Sequence, residues 1–228
     1  NRFTWYVDGV EEAAGSEADV PMTLGQHEVK LIVADRQGSF GGDTLAVSVV
    51  DSKAPGIAIA QPQPIAYTHS DTLVLDYMVA DACTGVRGFS PRLDGAGTVG
   101  GHGLQSGQPI HLLTELALGE HTFTVNAVDG QGNQSSAAVT FSTVVTPESL
   151  AEDVRQLAAS GAITHPIESL LGKLEAAARQ YHGQNCDAAG NIYQAFLHEV
   201  EAQRGKSITP EAADVLTADA RFLIAHCP

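Results

Sequence analysis

Residues 24–38 read LGQHEVKLIVADRQG, and residues 118–132 read LGEHTFTVNAVDGQG. Leu, Gly, His, Asp, Gln and Gly recur in register at an offset of 94 residues. Between the His and the Asp, apolar residues alternate with others, the period of a strand with one buried face. Each copy leads into another alternating run, Thr44–Val50 and Ala138–Val145. Two such runs joined by a Gly-containing loop predict a β-hairpin. The interval matches the length of one β-sandwich domain of about 100 residues, so the two hairpins are expected to be the last two strands of two successive sandwiches.

Within the repeat, Gly25 and Gly119 permit a tight corner before the strand. His27 and His121 fall where many sandwiches place a corner tyrosine that bonds back to the chain, so they are expected to be structural. Asp35 and Asp129 open the hairpin loops, where an aspartate commonly bonds its own backbone. The same two carboxylates are the chain's calcium candidates, although no dense DxDxDG run is present.

Upstream, Asn1-Arg2-Phe3-Thr4-Trp5-Tyr6-Val7-Asp8-Gly9 opens already inside a strand pattern, which suggests a piece of a longer polypeptide. Alternation puts Phe3, Trp5 and Val7 on one face, and Trp5 is expected in the core rather than as a sugar platform. A complete first sandwich needs roughly 30 more residues before Asn1. Its missing strands would come from the same polypeptide or from another chain.

Residues 3–50 (WYVDG, LGQHEVKLIVADRQG, TLAVSVVD) resemble the C-terminal two-thirds of a PKD-type domain. Residues 54–145 resemble a bacterial Ig-like domain, and Asp51-Ser52-Lys53-Ala54-Pro55 resembles the D-x-x-A-P junction between such modules. These resemblances imply fold rather than activity. In the second module, Arg92–Gly107 (RLDGAGTVGGHGLQSG) departs from the pattern and predicts a long loop or an irregular hairpin. That loop, with Asp94 and His102, is the candidate binding surface of the β-rich part, since loops on a rigid scaffold often carry function.

After Thr146 the composition turns to Ala, Leu, Glu and Gln. Thr146-Pro147-Glu148 and Thr209-Pro210-Glu211 are helix starts, with a further capping box at Ser149–Glu152. Four helices are expected, ending near Ser160, Gly183, Gln203 and the C-terminus. Their apolar stripes include Ile167, Leu170, Leu171, Leu174 and Ala178; Ile192, Ala195, Phe196 and Val200; and Ala212, Val215, Leu216, Leu223 and Ile224. SLLGKLEAA and YQAFLHEVEAQRGKSITPEAADVLTADARFLI resemble the FIMAH-type domain that ends many exported bacterial proteins. The resemblance implies an accessory position and transfers no catalytic residue.

Cys186 begins the third helix and Cys227 ends the fourth, ends that meet in an antiparallel pair, so a disulfide is expected. The alternative is a zinc site of Cys186 and Cys227 with His182 and His226. Cys83 is expected to be a buried free thiol.

The fold class is therefore multidomain: a partial PKD-type β-sandwich (1–53), an Ig-like β-sandwich (54–145) and a small all-α bundle (146–228). Acids outnumber bases nine to four, seven to two and eleven to six in these segments, for a net charge of −15. Such even acidity, without a Lys/Arg stripe, argues against nucleic acid. No apolar run approaches a membrane span. GxSxG, HExxH, CxxC and Walker loops are absent. The expected function is a non-catalytic spacer or attachment region of a longer exported bacterial protein, itself extracellular or at the cell surface. The parent chain would supply any enzyme activity. The alternatives are a module that binds polysaccharide or a cell-surface protein, and a subunit that assembles with copies of itself by strand complementation.

Overall fold

A computed structural model describes residues 1–164 and 166–228. It is β-rich up to Val144 and helical from Pro147 onward. The chain divides into two compact units. The first holds Asn1–Pro55 with the segments Asp81–Arg87 and Val128–Gln134, and the second holds Gly56–Ala80, Gly88–Ala127 and Ser135–Pro228.

In the first unit β1 (Arg2–Val7), β2 (Val10–Ala14), β3 (Gly25–Ala34) and β4 (Phe40–Val49) form one antiparallel sheet in the order β2-β1-β3-β4. Phe3, Trp5 and Val7 lie opposite Val33, Leu31 and Val29, so the expected apolar face exists. Trp5, however, is half-buried. Its indole N–H donates to the Gly15 carbonyl at 3.0 Å, and its ring lines an open groove of about 610 Å³ with Val7, Val29 and residues 18–22. A single sheet covered by one irregular segment cannot enclose an indole from both sides.

The second unit contains β5 (Gly56–Gln61), β6 (Ala66–Thr68), β7 (Thr72–Val74), β8 (Asp76–Ala80), β9 (Val86–Leu93) from Gly88 onward, β10 (Thr98–Val99), β11 (His102–Gly103) and β12 (Pro109–His111). A short helix α1 (Leu112–Glu115), β13 (Gly119–Asp129) up to Ala127 and β14 (Gln134–Val144) from Ser135 onward follow. The main sheet has the order β6-β14-β13-β9, with β6 parallel to β14. Strands β5 and β8 pair separately, as do β7 with β12 and β10 with β11. Leu75, Leu104, Ile110, Phe123, Val125 and Phe141 lie at the centre of the core. The predicted hairpins are β3–β4 and β13–β14. The Gly-rich stretch forms the small β10–β11 hairpin.

Four helices complete the unit: α2 (Pro147–Ala159), α3 (Glu168–His182), α4 (Cys186–Gln203) and α5 (Pro210–Ala225). Thr146 caps α2 in a reciprocal box with Ser149, rather than the box expected from Ser149 to Glu152. Thr209 caps α5 and Asn185 caps α4. The α4 stripe is Ala189, Tyr193, Phe196 and Val200, with Ile192 only partly buried. Leu113 and Val145 belong to the same apolar cluster as the helices, so helical and β elements share packing there. Among the described residues no helix is long and apolar enough to cross a membrane.

Candidate functional site

The repeated histidines occupy the same three-part clamp in each unit. Asp8 and Asp94 sit at φ 51° and 50°, each followed by a positive-φ glycine, Gly9 at 83° and Gly95 at 81°. This is the Asp-Gly signature of a type I′ turn, which needs φ > 0 at both central positions. In the first unit His27 Nδ1 lies 2.7 Å from Asp8 Oδ2, His27 Nε2 lies 2.8 Å from the Thr23 carbonyl, and the Glu28 N–H donates to Asp8 Oδ1. In the second unit His121 Nδ1 lies 2.7 Å from Asp94 Oδ2, Nε2 lies 2.8 Å from the Ala117 carbonyl, and the Thr122 N–H donates to Asp94 Oδ1. Asp8 holds the His27 imidazole above its ordinary value, assisted by the Thr23 carbonyl. The Glu28 amide, then His27, holds the Asp8 carboxyl below its ordinary value. Asp94 is thus a clamp residue of the second unit.

The Asp-x-Gln-Gly loops are also duplicates. Asp35 Oδ1 accepts from the N–H groups of Gln37 and Ser39, and Asp129 Oδ1 accepts from those of Gln131 and Asn133. They differ in their surroundings. Asp129 is fully buried and stands with Asp51 and Asp81 so that one carboxylate oxygen of each lies within 4.8 Å of the others. Among the described residues, this is the only group of three such ligands, and Asp35 is not in it. Burial pushes the Asp129 carboxyl up, but hydrogen bonds from Asn133, Gly132 and Gln131 prevail and hold it low. Asp51 accepts from Lys53 N–H and from the Thr84 hydroxyl, and Asp81 Oδ1 accepts from the N–H groups of Cys83, Thr84 and Gly85. A Cβ on Gly130 would stand 3.1 Å from the Thr84 carbonyl, so the lack of a side chain lets the two loops meet. Three carboxylates with no nitrogen or sulfur donor suit a hard cation such as calcium rather than zinc. The sequence marked Asp129 through the repeat. Asp51 and Asp81 carried no signal of their own, because their loops meet only in the fold.

His102 is half-exposed, and its Nε2 lies 2.8 Å from Glu115 Oε1, while Glu115 Oε2 accepts the His111 N–H. This pins the β10–β11 hairpin to α1, and none of these bonds is shared with the Asp94 clamp. Beside the hairpin runs a groove of about 670 Å³, lined by Tyr77, Met78, Phe89, Pro91, Leu104 and Gln105 among others. Met78 is 65% exposed and Phe89 54%, so two large apolar side chains face solvent at this groove. The lining carries no charged residue, although the chain's net charge is −15.

Cys186 and Cys227 are joined by a disulfide with a Cα–Cα distance of 5.7 Å. Both thiolates of the alternative zinc set are therefore consumed. His182 bonds Glu148 at 2.6 Å and His226 stacks on Phe222. Cys83, expected to be buried, is an exposed free thiol. It lies in the turn whose amides cap Asp81, and that places its side chain outside both apolar clusters.

A third histidine, His69, repeats the clamp pattern in a buried setting, with Nδ1 2.8 Å from Asp219 Oδ1 and Nε2 2.9 Å from the Leu116 carbonyl. Neither the histidine nor its aspartate was marked by the repeat.

Residues 147–225 match the FIMAH domain family. No curated protein matches the chain. Among solved structures, the Bacteroides ovatus mixed-linkage glucan utilization locus (MLGUL) SGBP-B in complex with mixed-linkage heptasaccharide aligns with 62% of this chain, at 16% identity and a TM-score of 0.20. The chain spans 37% of the length of that structure.

Proposed function

We propose that this chain is a non-catalytic accessory region of a longer exported bacterial protein, with β-modules acting as a spacer and the FIMAH domain as its helical end. One observation carries the reading. Each His–Asp pair that resembles acid–base machinery, His27–Asp8, His121–Asp94 and His69–Asp219, has its other ring nitrogen against a backbone carbonyl. A general base needs a free lone pair within reach of a substrate proton. These imidazoles spend both nitrogens on the protein itself. The disulfide supports an extracellular or cell-surface location, because such bonds persist outside the reducing cytosol. Calcium at Asp51, Asp81 and Asp129 belongs to the same reading, as a stiffening ion for the loops that meet there.

A second reading, a binding module, rests on the uncharged groove of Tyr77, Met78, Phe89 and Pro91. Neutral polysaccharide suits it: apolar side chains present faces for sugar C–H groups, and Gln105 and Ser106 offer polar ones.

The test is a panel of glycoside, ester and peptide substrates together with binding to insoluble polysaccharides, with and without calcium. No turnover and no binding agree with the spacer. Saturable binding lost in Phe89→Ala promotes the binding module, and turnover overturns both. A concentration-dependent sedimentation profile would point to the self-assembling subunit instead.

A further inference from the structure

Helices α2 and α5 each carry an aspartate at a position their apolar stripes reserve for the core. Asp153 lies between Leu150, Val154 and Leu157, and Asp219 between Leu216, Ala220 and Leu223. Both are 0% exposed. Asp219 holds His69, which stands in the turn between β6 and β7 and is 3% exposed. The same turn receives a second bond from α2, Gln156 Nε2 to the Ser70 carbonyl at 2.9 Å. The imidazole continues to the Leu116 carbonyl, and the His69 amide donates to Val144. Helices and β elements are thus joined through one buried polar cluster.

The cluster is short of hydrogen-bond donors. Neither Asp153 oxygen nor Asp219 Oδ2 meets an N–H or hydroxyl donor of the protein. Buried carboxylates of this kind cannot both stay ionised. A single proton on Asp153, donated to Asp219, pairs two of the three oxygens and leaves one carboxylate beside one imidazolium. We propose that Asp153, Asp219 and His69 form a pH-sensitive latch that fastens α2 and α5 to the β6–β7 turn, tight when Asp153 is protonated and loosened when it is not.

The surrounding charges agree. Burial first, then repulsion from Asp219, raises the Asp153 carboxyl to about 8, with Glu152 adding to the rise and His69 opposing it. Burial also raises Asp219, against the pull of His69. For His69, burial disfavours the cation, but Asp219, the Leu116 carbonyl and Asp153 outweigh it and the net shift is upward. On the turn, Asp71 accepts from Thr68 N–H. From α4 the helical core receives Tyr193, whose electrostatic neighbours are Tyr181 and Glu148. On α3, Arg179 pairs with Glu175, and Lys173 pairs with Glu199 of α4.

All three shifts have the same sign. A group whose value is raised in the docked state gives stability that is complete below its ordinary value and is lost as pH rises through the raised one. For Asp153 the window runs from 3.8 to about 8. Inside it, local opening grows by up to about tenfold per pH unit.

Hydrogen exchange at the His69 amide of the full chain, corrected for the intrinsic pH dependence, reads this opening from pH 5.0 to 6.5. Opening that rises by more than tenfold in the native chain, and clearly less steeply in Asp153→Asn, is the expected result. Equal slopes in the two proteins overturn the latch. Should the variant fail to fold, carboxyl carbon NMR of the native chain decides. An aspartate titrating near 8 supports the proposal, and all aspartates titrating below about 5 overturn it.

Discussion

Asp94 grips His121 across 27 residues of sequence at the same 2.7 Å at which Asp8 grips His27 across 19. Each aspartate also takes the amide that follows its histidine, Thr122 or Glu28. One turn residue therefore fixes two points on a neighbouring strand. Asp94→Ala removes both acceptors and should cost about 1–3 kcal/mol. Equilibrium urea unfolding of the second unit checks this, and Asp94→Asn should recover part of the loss, since its amide oxygen still accepts one of the bonds.

The His27–Asp8 pair has opposite pH limits at its two ends. His27 is raised from 6.5, so its contribution is complete below that value and is lost as pH rises through the raised one. Asp8 is lowered from 3.8, so its contribution is complete above that value and is lost as pH falls through the lowered one. The pair is therefore strongest between about pH 4 and 6.5. The imidazole proton shifts of His27 should titrate above 6.5 in the native chain. In Asp8→Asn they should move back toward it.

Reducing the disulfide releases a loop with a sequence separation of 41 residues, which corresponds to about 4 kcal/mol of lost constraint on the unfolded chain. The melting midpoint of the helical part should fall when Cys186 and Cys227 are both replaced by Ser. Thiol counting on the native protein should return one reactive group, Cys83.

Calcium at the three-aspartate cluster should raise the melting midpoint of the first unit, by about 1.4 kcal/mol of stability at ten times the dissociation constant. Titration calorimetry of the native chain against Asp81→Asn isolates the effect. That substitution keeps an oxygen for the three amides at residue 81 while removing the charge.

Much of the β architecture was legible because its devices are duplicated. Leu-Gly-x-His and Asp-x-Gln-Gly each recur, and both copies of each make the same bonds. The partners of the histidines were harder to see. Asp8 and Asp94 lie on distant turns, and only the folded register brings an Asp-Gly turn beside the histidine's strand. Trp5 is less buried than alternation implies, because alternation reports which face a residue occupies but not whether a second layer covers that face. Tyr193 displaced Ile192 from the α4 core for a related reason: helical periodicity tolerates a one-residue rotation when aromatic and aliphatic residues adjoin. Asp153 and Asp219 did leave a trace, since each interrupts an apolar stripe at a core position, and such an interruption marks a polar partner in the facing element.

The passage from β14 into α2 sets how the chain would respond to a pull. Val144 ends the strand, Val145 is buried, and Thr146 already caps the helix, so no slack separates them. Strand β14 is internal to its sheet, with β13 on one side and β6 on the other. A pull on α2 along the direction of β14 loads both ladders lengthwise, and many hydrogen bonds must yield together. An edge strand peeled sideways gives way one bond at a time. Such a joint would yield by shear rather than by peeling, the geometry that suits the proposed spacer.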